Sequence, residues 1–336
     1  MEPIKEPTPL VLVTSSPHMH CGLTIGKSMR EVMLALVPAI IASVYYFRMS
    51  AAIVMVTCVV SAIVFETICN KVMHKPNTVQ DGSAALTGLL LAMCLPASMP
   101  PLFAAMGSMF AIVVGKAVFG GLGCNIFNPA HIGRAILLAS FPQQMTNWVL
   151  PATAAASDAV STATPLAVMR ATEKIWQAGG AASAAKLPDL MNLFWGNVGG
   201  SLGETCVPAL VLGGLYLIYK KLIDWRIPVF YLVTVAILTG VYGAVMGYPS
   251  TFPLYHLFAG GLMIGAFFMA TDWVTSPITK KGKIIYAIGL GVLTSLIRLR
   301  GSYTEGVCYS ILMMNMVTPM IDRFVRNVSC LLYTSD

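Results

Sequence analysis

Ser161, Thr162 and Thr164 sit in the run Asp158-Ala-Val-Ser161-Thr162-Ala163-Thr164, which Pro165 and Leu166 follow. The run is small and polar inside a chain that is otherwise strongly apolar. A hydroxyl there has no packing task to explain it. Its available chemistry is to receive a group from a modifying enzyme. That enzyme must reach it, so the segment is expected to be exposed and deformable. Ala159, Ser161 and Ala163 supply small neighbours. Pro165 disfavours the helical region for the residue before it, holding Ala163-Thr164 toward an extended shape. Asp158 reads equally as part of a recognition element and as a turn former.

A second set is buried by its setting. Lys116, Asn125, Asn128, His131 and Arg134 fall in or between apolar stretches, and Asp272 closes a short one. Ionisable groups in a bilayer interior are costly and by default mark an ion or cofactor site. The other reading is helix gluing by small and polar residues, which the glycines between 115 and 133 also suggest. Asp272 is placed to meet either a cation or nearby backbone amides. Glu31 and Glu204 are expected to open helices, where the dipole favours a carboxylate. The eight cysteines contain no C-x-x-C pair and the five histidines are scattered singly. No metal site is expected from such spacing, and no residue is assigned a catalytic role.

The elements that must hold these residues are membrane helices. Of 336 residues, 57% are hydrophobic and 10% charged, with a mean hydropathy of +0.76. Soluble domains carry about 25% charged residues, so the chain belongs in lipid and a nucleic-acid partner is not expected. Met1 to Pro9 carries both charge signs and three prolines, unlike a cleaved signal. Uncharged stretches predict an all-α polytopic membrane protein of about ten transmembrane helices. In the first half these are Val32–Phe47, Met49–Phe65, about Ala84 to Leu95, Leu102–Phe119 and Pro129–Phe141. Pro96 and Pro100-Pro101 divide the third from the fourth, because proline lacks the amide a helix interior needs. The second half gives Glu204–Tyr219, Ile227–Gly247, His256–Ala270, Ile284–Leu299 and Thr304–Ile321. Several are shorter than the ~20 residues that cross a bilayer. Broken helices are tolerated where protein covers them, so these should face the interior.

At an offset of 173, Gly26, Ser28 and Glu31 fall on Gly199, Ser201 and Glu204, Arg48 on Lys221, and Gly88-Leu89 on Gly261-Leu262. Five spans per half then make a 5+5 inverted repeat with broken helices, an architecture of many transporters. The expected organisation is an N-terminal cytoplasmic segment (1–29), a first repeat (30–141), an extracytoplasmic loop (142–198), a second repeat (199–322) and a tail (323–336). With the N-terminus cytoplasmic, Lys5, Lys27, Arg30, Lys71, Lys75, Lys220, Lys221, Arg226, Lys280, Lys281, Lys283, Arg323 and Arg326 lie inside. Six Lys and Arg lie outside and two within spans. Positive charge inside is the expected bias. The Thr164 loop then lies outside the cytoplasmic membrane.

Several stretches resemble one family in order along the chain. Asp158 to Thr164 resembles the flavin-attachment signature of the D subunits of Rnf ion-translocating oxidoreductase complexes (RnfD) and of their relative NqrB. Thr14-Ser-Ser-Pro-His18, Asp81-Gly-Ser-Ala-Ala-Leu-Thr-Gly-Leu-Leu-Leu91 and the glycine- and asparagine-rich stretch Gly115 to Arg134 are also similar. So are Phe268-Met-Ala-Thr-Asp272-Trp-Val-Thr-Ser-Pro277 and Tyr303-Thr-Glu-Gly306 through Asn315. The resemblance runs from about residue 10 to 326, and the absence of a long N-terminal extension favours the Rnf member over NqrB.

The resemblance implies a membrane electron-transfer subunit that carries FMN covalently, its phosphate esterified to Thr164, with Ser161 and Thr162 as alternative hydroxyls. It implies a flavin transferase, a second covalently flavinylated subunit as electron donor, other complex subunits and membrane lipid as partners. A second, non-covalent flavin (riboflavin) between the halves is left open. For it, or for an ion, Lys116, Asn125, Asn128, Arg134 and Asp272 are the candidate residues. No G-x-G-x-x-G opening a helix and no cluster-type cysteine run is present, so the chain alone should not react with NADH. Two other classes fit the same architecture: a small-solute channel or permease, and a scaffold without cofactor. Fold alone does not separate them.

Overall fold

The computed structural model describes residues 24–75, 78–151, 163–177, 187–301 and 305–325. Asp158, Ser161 and Thr162 lie outside these residues, as do most of the N-terminal segment and most of the tail. Among the described residues the chain is all helix and turn, with one isolated bridge between Pro96 and Ser201.

Helix α1 (Ile25–Val72) starts at Thr24, whose side chain accepts from the Lys27 amide. It breaks at Arg48, where φ is 52° and ψ −135°, so the two expected spans are arms of one bent element. Helix α2 (Ser83–Met93) stops before Pro96, and α3 (Pro101–Ile112) starts with proline in its first turn, where a missing amide does no harm. A π-helical turn, Val113–Ala117, continues α3. Helix α4 (Pro129–Ser140) is capped by the Asn128 side chain. Helix α5 (Pro165–Gln177) follows Thr164, in a stretch expected to be loop alone.

The second series comprises α6 (Val207–Tyr219), α7 (Arg226–Met246), α8 (Phe252–Phe258), α9 (Leu262–Ile264, extended by a π turn to Met269), α10 (Lys280–Arg300) and α11 (Val307–Phe324). The stretch expected as one short span near His256 is therefore two pieces, bent by 63° about Gly260 at φ +72°. Two expectations need correction. Glu204 does not open a helix: Leu202–Glu204 is a 3-10 turn, and Cys206 at φ 67° sets the entry to α6. Glu31 lies inside α1, not at its start, with its carboxylate 2.5 Å from Tyr216 Oη.

The two series pack alike. In the first, α1 lies against α2 and α3, and α3 against α4; in the second, α7 lies against α8 and α10, and α10 against α11. Arg48 and Lys221, 173 residues apart, both adopt the left-handed φ that non-glycine residues rarely hold, 52° and 57°. The seam between the series is α1 on α6 and α4 on α11. Helices α1, α7 and α10 are long and apolar enough to cross a membrane alone, and the bent α8–α9 pair makes a fourth if it is one span. Of the short helices, α2 and α9 are almost wholly buried, as expected where lipid must be kept from broken backbone. Helix α6 departs from that expectation, leaving Leu212 and Leu215 exposed.

Contacts sort the helix ends into two groups. At one end Lys75 bonds Gly120 O (2.6 Å), Lys116 meets Ser83, Lys283 meets Asp224, and Trp273 Nε1 donates to Leu222 O. At the other, Tyr46 bonds Trp195 O, Ser98 bonds Asn147 O, and Leu202 N donates to Leu95 O. The first end carries most of the lysines.

The seam is tight enough to test. A Cβ on Gly213 would stand 2.1 Å from Ala35 O, so only glycine lets α6 approach α1 this closely. Gly213→Ala is expected to destabilise the bundle by about 1–3 kcal/mol, as overpacking does. Its thermal midpoint in detergent should fall, while Gly247→Ala, where nothing lies within 4 Å of the added carbon, reports only the strain of φ +72°.

Candidate functional site

Four of the five buried polar candidates line one cavity of about 270 Å³ at the lysine-rich end, between the two series. Lys116, Asn125, Asn128 and Asp272 edge it, and Leu86, Leu90, Leu217, Ile223 and Phe268 form apolar walls. Arg134 is not part of it.

Each polar group has a defined state. The π turn directs Lys116 inward, where Nζ lies 2.9 Å from both carboxylate oxygens of Glu66 and 2.6 Å from Ser83 Oγ. Glu66 also accepts from Thr78 Oγ1. All three ammonium protons are used, so the charge is neutralised in place, as a buried charge must be. Glu66 carries no sequence signal of this role because it looks like the end of a span; α1 in fact runs on to Val72. Asn128 caps α4 through the Ala130 amide (3.1 Å) and donates to Met269 O (3.2 Å), fastening α4 to the π turn of α9. Asn315 completes this joint, its amide oxygen facing Asn128 N and its NH₂ facing Tyr286 Oη. Asn125 donates to Phe127 O, and its Oδ1 is buried without a partner among the described residues. Asp272 is half-buried and accepts from Thr275 Oγ1 at 3.2 Å. Asp272 also takes the backbone amides of Trp273 and Val274, so Asn125 Oδ1 is the acceptor left to a ligand.

Arg134 lies deeper along the seam and ion-pairs with Glu305 of the stretch before α11. Arg298 of α10 donates to His256 O (2.5 Å) and Ala259 O (3.2 Å), the carbonyls that the break after α8 sets free. Around this pair, Glu204 Oε1, Glu305 Oε1, Ser201 Oγ and both ring nitrogens of His131 are buried without partners among the described residues. Glu305 falls in one of the family-like stretches and Arg298 at the end of an expected span, and neither position names its partner in the sequence.

Thr164 is placed against the same break, and it is not the exposed residue expected. It is 4% exposed. Its Oγ1 accepts from the Ala167 amide at 3.2 Å and its carbonyl accepts from Val168 N, so it caps α5 at an end where free amides need a partner. Leu166 packs with Leu193 and Ala259. Further along α5, Arg170 donates to Gly301 O, Glu173 lies 3.9 Å from His256, and Trp176 stacks near Tyr248. Helix α5 is a docked element, not a free loop.

Burial lifts the Glu173 carboxyl from 4.5 to about 7, with Arg170 acting in the opposite direction. A group bound more tightly to its proton when docked favours docking fully below its free pKa and loses that contribution as pH rises through the docked value. With His256 and Arg170 as the facing groups, α5 is expected to be most protected near pH 4.5 and to loosen as pH rises to about 7. Hydrogen exchange of α5 amides at pH 5 and pH 8, corrected for intrinsic rates, checks this; equal protection at both would remove Glu173 from the docking contact.

The chain is a polytopic membrane protein whose two helix series enclose polar sites at opposite ends, joined by the buried half-helix α9. The chain belongs to the NQR2, RnfD, RnfE family, whose sequence profile it matches over residues 12–330. It is 51% identical over 319 residues (94% of this chain, 95% of the relative) to the D subunit of the proton-translocating ferredoxin:NAD(+) oxidoreductase complex of Clostridium ljungdahlii. It is 45% identical over 317 residues (94% and 93%) to the D subunit of the Na(+)-translocating ferredoxin:NAD(+) oxidoreductase complex of Acetobacterium woodii. The D subunit of the ion-translocating oxidoreductase complex of Stutzerimonas stutzeri is 38% identical over 327 residues (90% and 91%).

Proposed function

We propose that this chain is the D-type membrane electron-transfer subunit of an ion-translocating ferredoxin:NAD oxidoreductase, with FMN held covalently on Thr164. The observation that carries the reading is the end-to-end identity, 45–51% over 94% of the chain, with the D subunits of two such complexes. Those relatives translocate different ions by name, so the coupling ion is not assigned.

The residues present fit a phosphate ester at Thr164. The hydroxyl stands at the N-terminus of the 13-residue α5, where amides and helix dipole favour an anion. Esterification would exchange the Ala167 hydrogen bond for contacts to phosphate oxygens. Because the folded hydroxyl is buried, the flavin transferase must act before α5 docks, or on a transiently undocked α5. When bound, the flavin supplies redox chemistry that no side chain can. The chain's part is to seat α5 through Leu166, Arg170 and Glu173, and to keep water from the break that Arg298 caps. The lysine-rich end is assigned to the cytoplasm, which puts Thr164 on the outer side of the cytoplasmic membrane, next to a covalently flavinylated partner subunit.

For the second, non-covalent flavin that the resemblance leaves open, we propose the 270 Å³ cavity. Its walls are apolar and its few polar groups are confined to an edge, the usual form of a cofactor pocket. Asn125 Oδ1 would offer an acceptor to a ring N–H or ribityl hydroxyl.

Peptide mass spectrometry of the chain from its own host tests the reading. The peptide containing Thr164 should carry one FMN less one water. Unmodified peptide alone, with the transferase present, would leave the chain without its carrier and return it to the permease or scaffold class.

A further inference from the structure

A second concavity, about 440 Å³, opens at the lysine-rich end and is lined by Lys221, Asp224, Trp225, Arg226, Trp273 and Lys283 among others. Its charges do not cancel. Asp224 takes Arg226 Nη1 at 3.0 and 3.2 Å and Lys283 Nζ at 3.3 Å. The Arg226 amide and Lys283 outweigh burial and hold the Asp224 carboxyl below its usual range, so it stays ionised. Lys221 has no acidic partner among the described residues. Three cations face one carboxylate, which leaves a net charge of about +2 in a pocket with room for a phosphate group.

The turn is held in this form. Lys221 sits at φ 57°, a conformation a lysine keeps only when its surroundings dictate it. Here Lys221 N bonds Ile218 O and Leu222 N bonds Leu217 O, while Trp273 Nε1 clamps Leu222 O at 2.6 Å. Trp225 and Trp273 remain about half exposed, with Arg226 stacked on Trp225.

The level of the pocket identifies the ligand class. Two membrane-crossing helices start here, α7 at Arg226 and α10 at Lys280, so the pocket lies where lipid headgroups begin. Half-exposed tryptophans are typical of that depth. Exposed Val229, Val233 and Ile237 follow along α7, and Ile285 and Ile288 along α10. A ligand with an anionic head and apolar tails matches both parts, whereas a soluble anion would use only the first. We propose that this pocket is a binding site for the phosphate of an anionic phospholipid, whose acyl chains lie along α7 and α10. The site shares Leu222, Ile223, Thr271 and Trp273 with the neighbouring cavity, so a bound headgroup would also brace the wall between them.

Native mass spectrometry of the detergent-purified full chain tests this, with phosphatidylglycerol and phosphatidylcholine titrated in parallel. The unaltered chain should retain one phosphatidylglycerol in preference to phosphatidylcholine. Lys221→Gln/Lys283→Gln should weaken that preference by about 30-fold, the effect of removing two cations each contributing ~1 kcal/mol near a lipid surface. Lys27→Gln/Lys71→Gln removes two cations outside the pocket and should leave it unchanged. An equal loss in both double variants would show general surface attraction and overturn the site. So would displacement of the lipid by millimolar inorganic phosphate, which would mark a free-anion site, or no preference in the unaltered chain.

Discussion

Thr164→Ala is expected to abolish the flavin fluorescence of the denatured chain completely. Expressed with the flavin transferase, the unaltered chain should give a fluorescent band on a denaturing gel, because a phosphate ester survives unfolding and a non-covalent flavin does not. Thr164→Ser keeps the hydroxyl and should keep some of the band. Ser161→Ala and Thr162→Ala should leave it intact. The cap is the confounding effect. Thr164 Oγ1 also accepts the Ala167 amide, and losing an N-cap oxygen destabilises by about 1 kcal/mol. That is too little to unfold a bundle of this size, so loss of the band reports loss of the ester. Electron transfer by the assembled complex should fall to background in Thr164→Ala alone. A fluorescent Thr164→Ala chain would move the attachment to a neighbouring hydroxyl.

The helices are legible in the sequence because charge and proline mark their ends directly. Arg48 stands at the bend of α1 and Pro100-Pro101 at the start of α3, whereas α10 starts at Lys280, capped by Thr279, ahead of the expected Ile284 because its first-turn lysines look like a flank. The cavity is legible in its residues but not in its membership. Lys116, Asn125, Asn128 and Asp272 come from distant stretches, and hydropathy singles out each without saying that they meet. Arg134 reads the same way in sequence yet turns to Glu305 instead. Partnerships across the seam are set by how α4 meets α11, and no spacing encodes that. At Thr164 the sequence misleads about exposure. The small residues before it suggest a loose loop, but Pro165 starts a helix as readily as it extends the residue before it, and Leu166 gives that helix an apolar anchor.

The second large effect lies at that seam. Arg134 and Glu305 are almost fully buried, 7% and 14% exposed at their side chains, and they join the first series to the second. Removing one partner of such a pair strands the other charge and destabilises by about 3–5 kcal/mol. Arg134→Met is therefore expected to lower the thermal midpoint sharply, and Glu305→Gln to lower it less, since Gln keeps an amide for Arg134 to meet. Replacing both, Arg134→Met/Glu305→Leu, should recover much of the loss, because two apolar groups leave no unpaired charge. Recovery separates a coupled pair from two independent packing contacts, for which the losses would add. Function should not recover with stability. Arg134 lies beside Gly261, next to the break, and near Glu204, whose Oε1 has no partner among the described residues, and an apolar seam would hold neither water nor charge there. The double variant should thus fold, keep its Thr164 flavin and fail to couple electron transfer to ion movement in reconstituted vesicles. If the stable double variant couples normally, the Arg134–Glu305 pair serves only to hold the two series together.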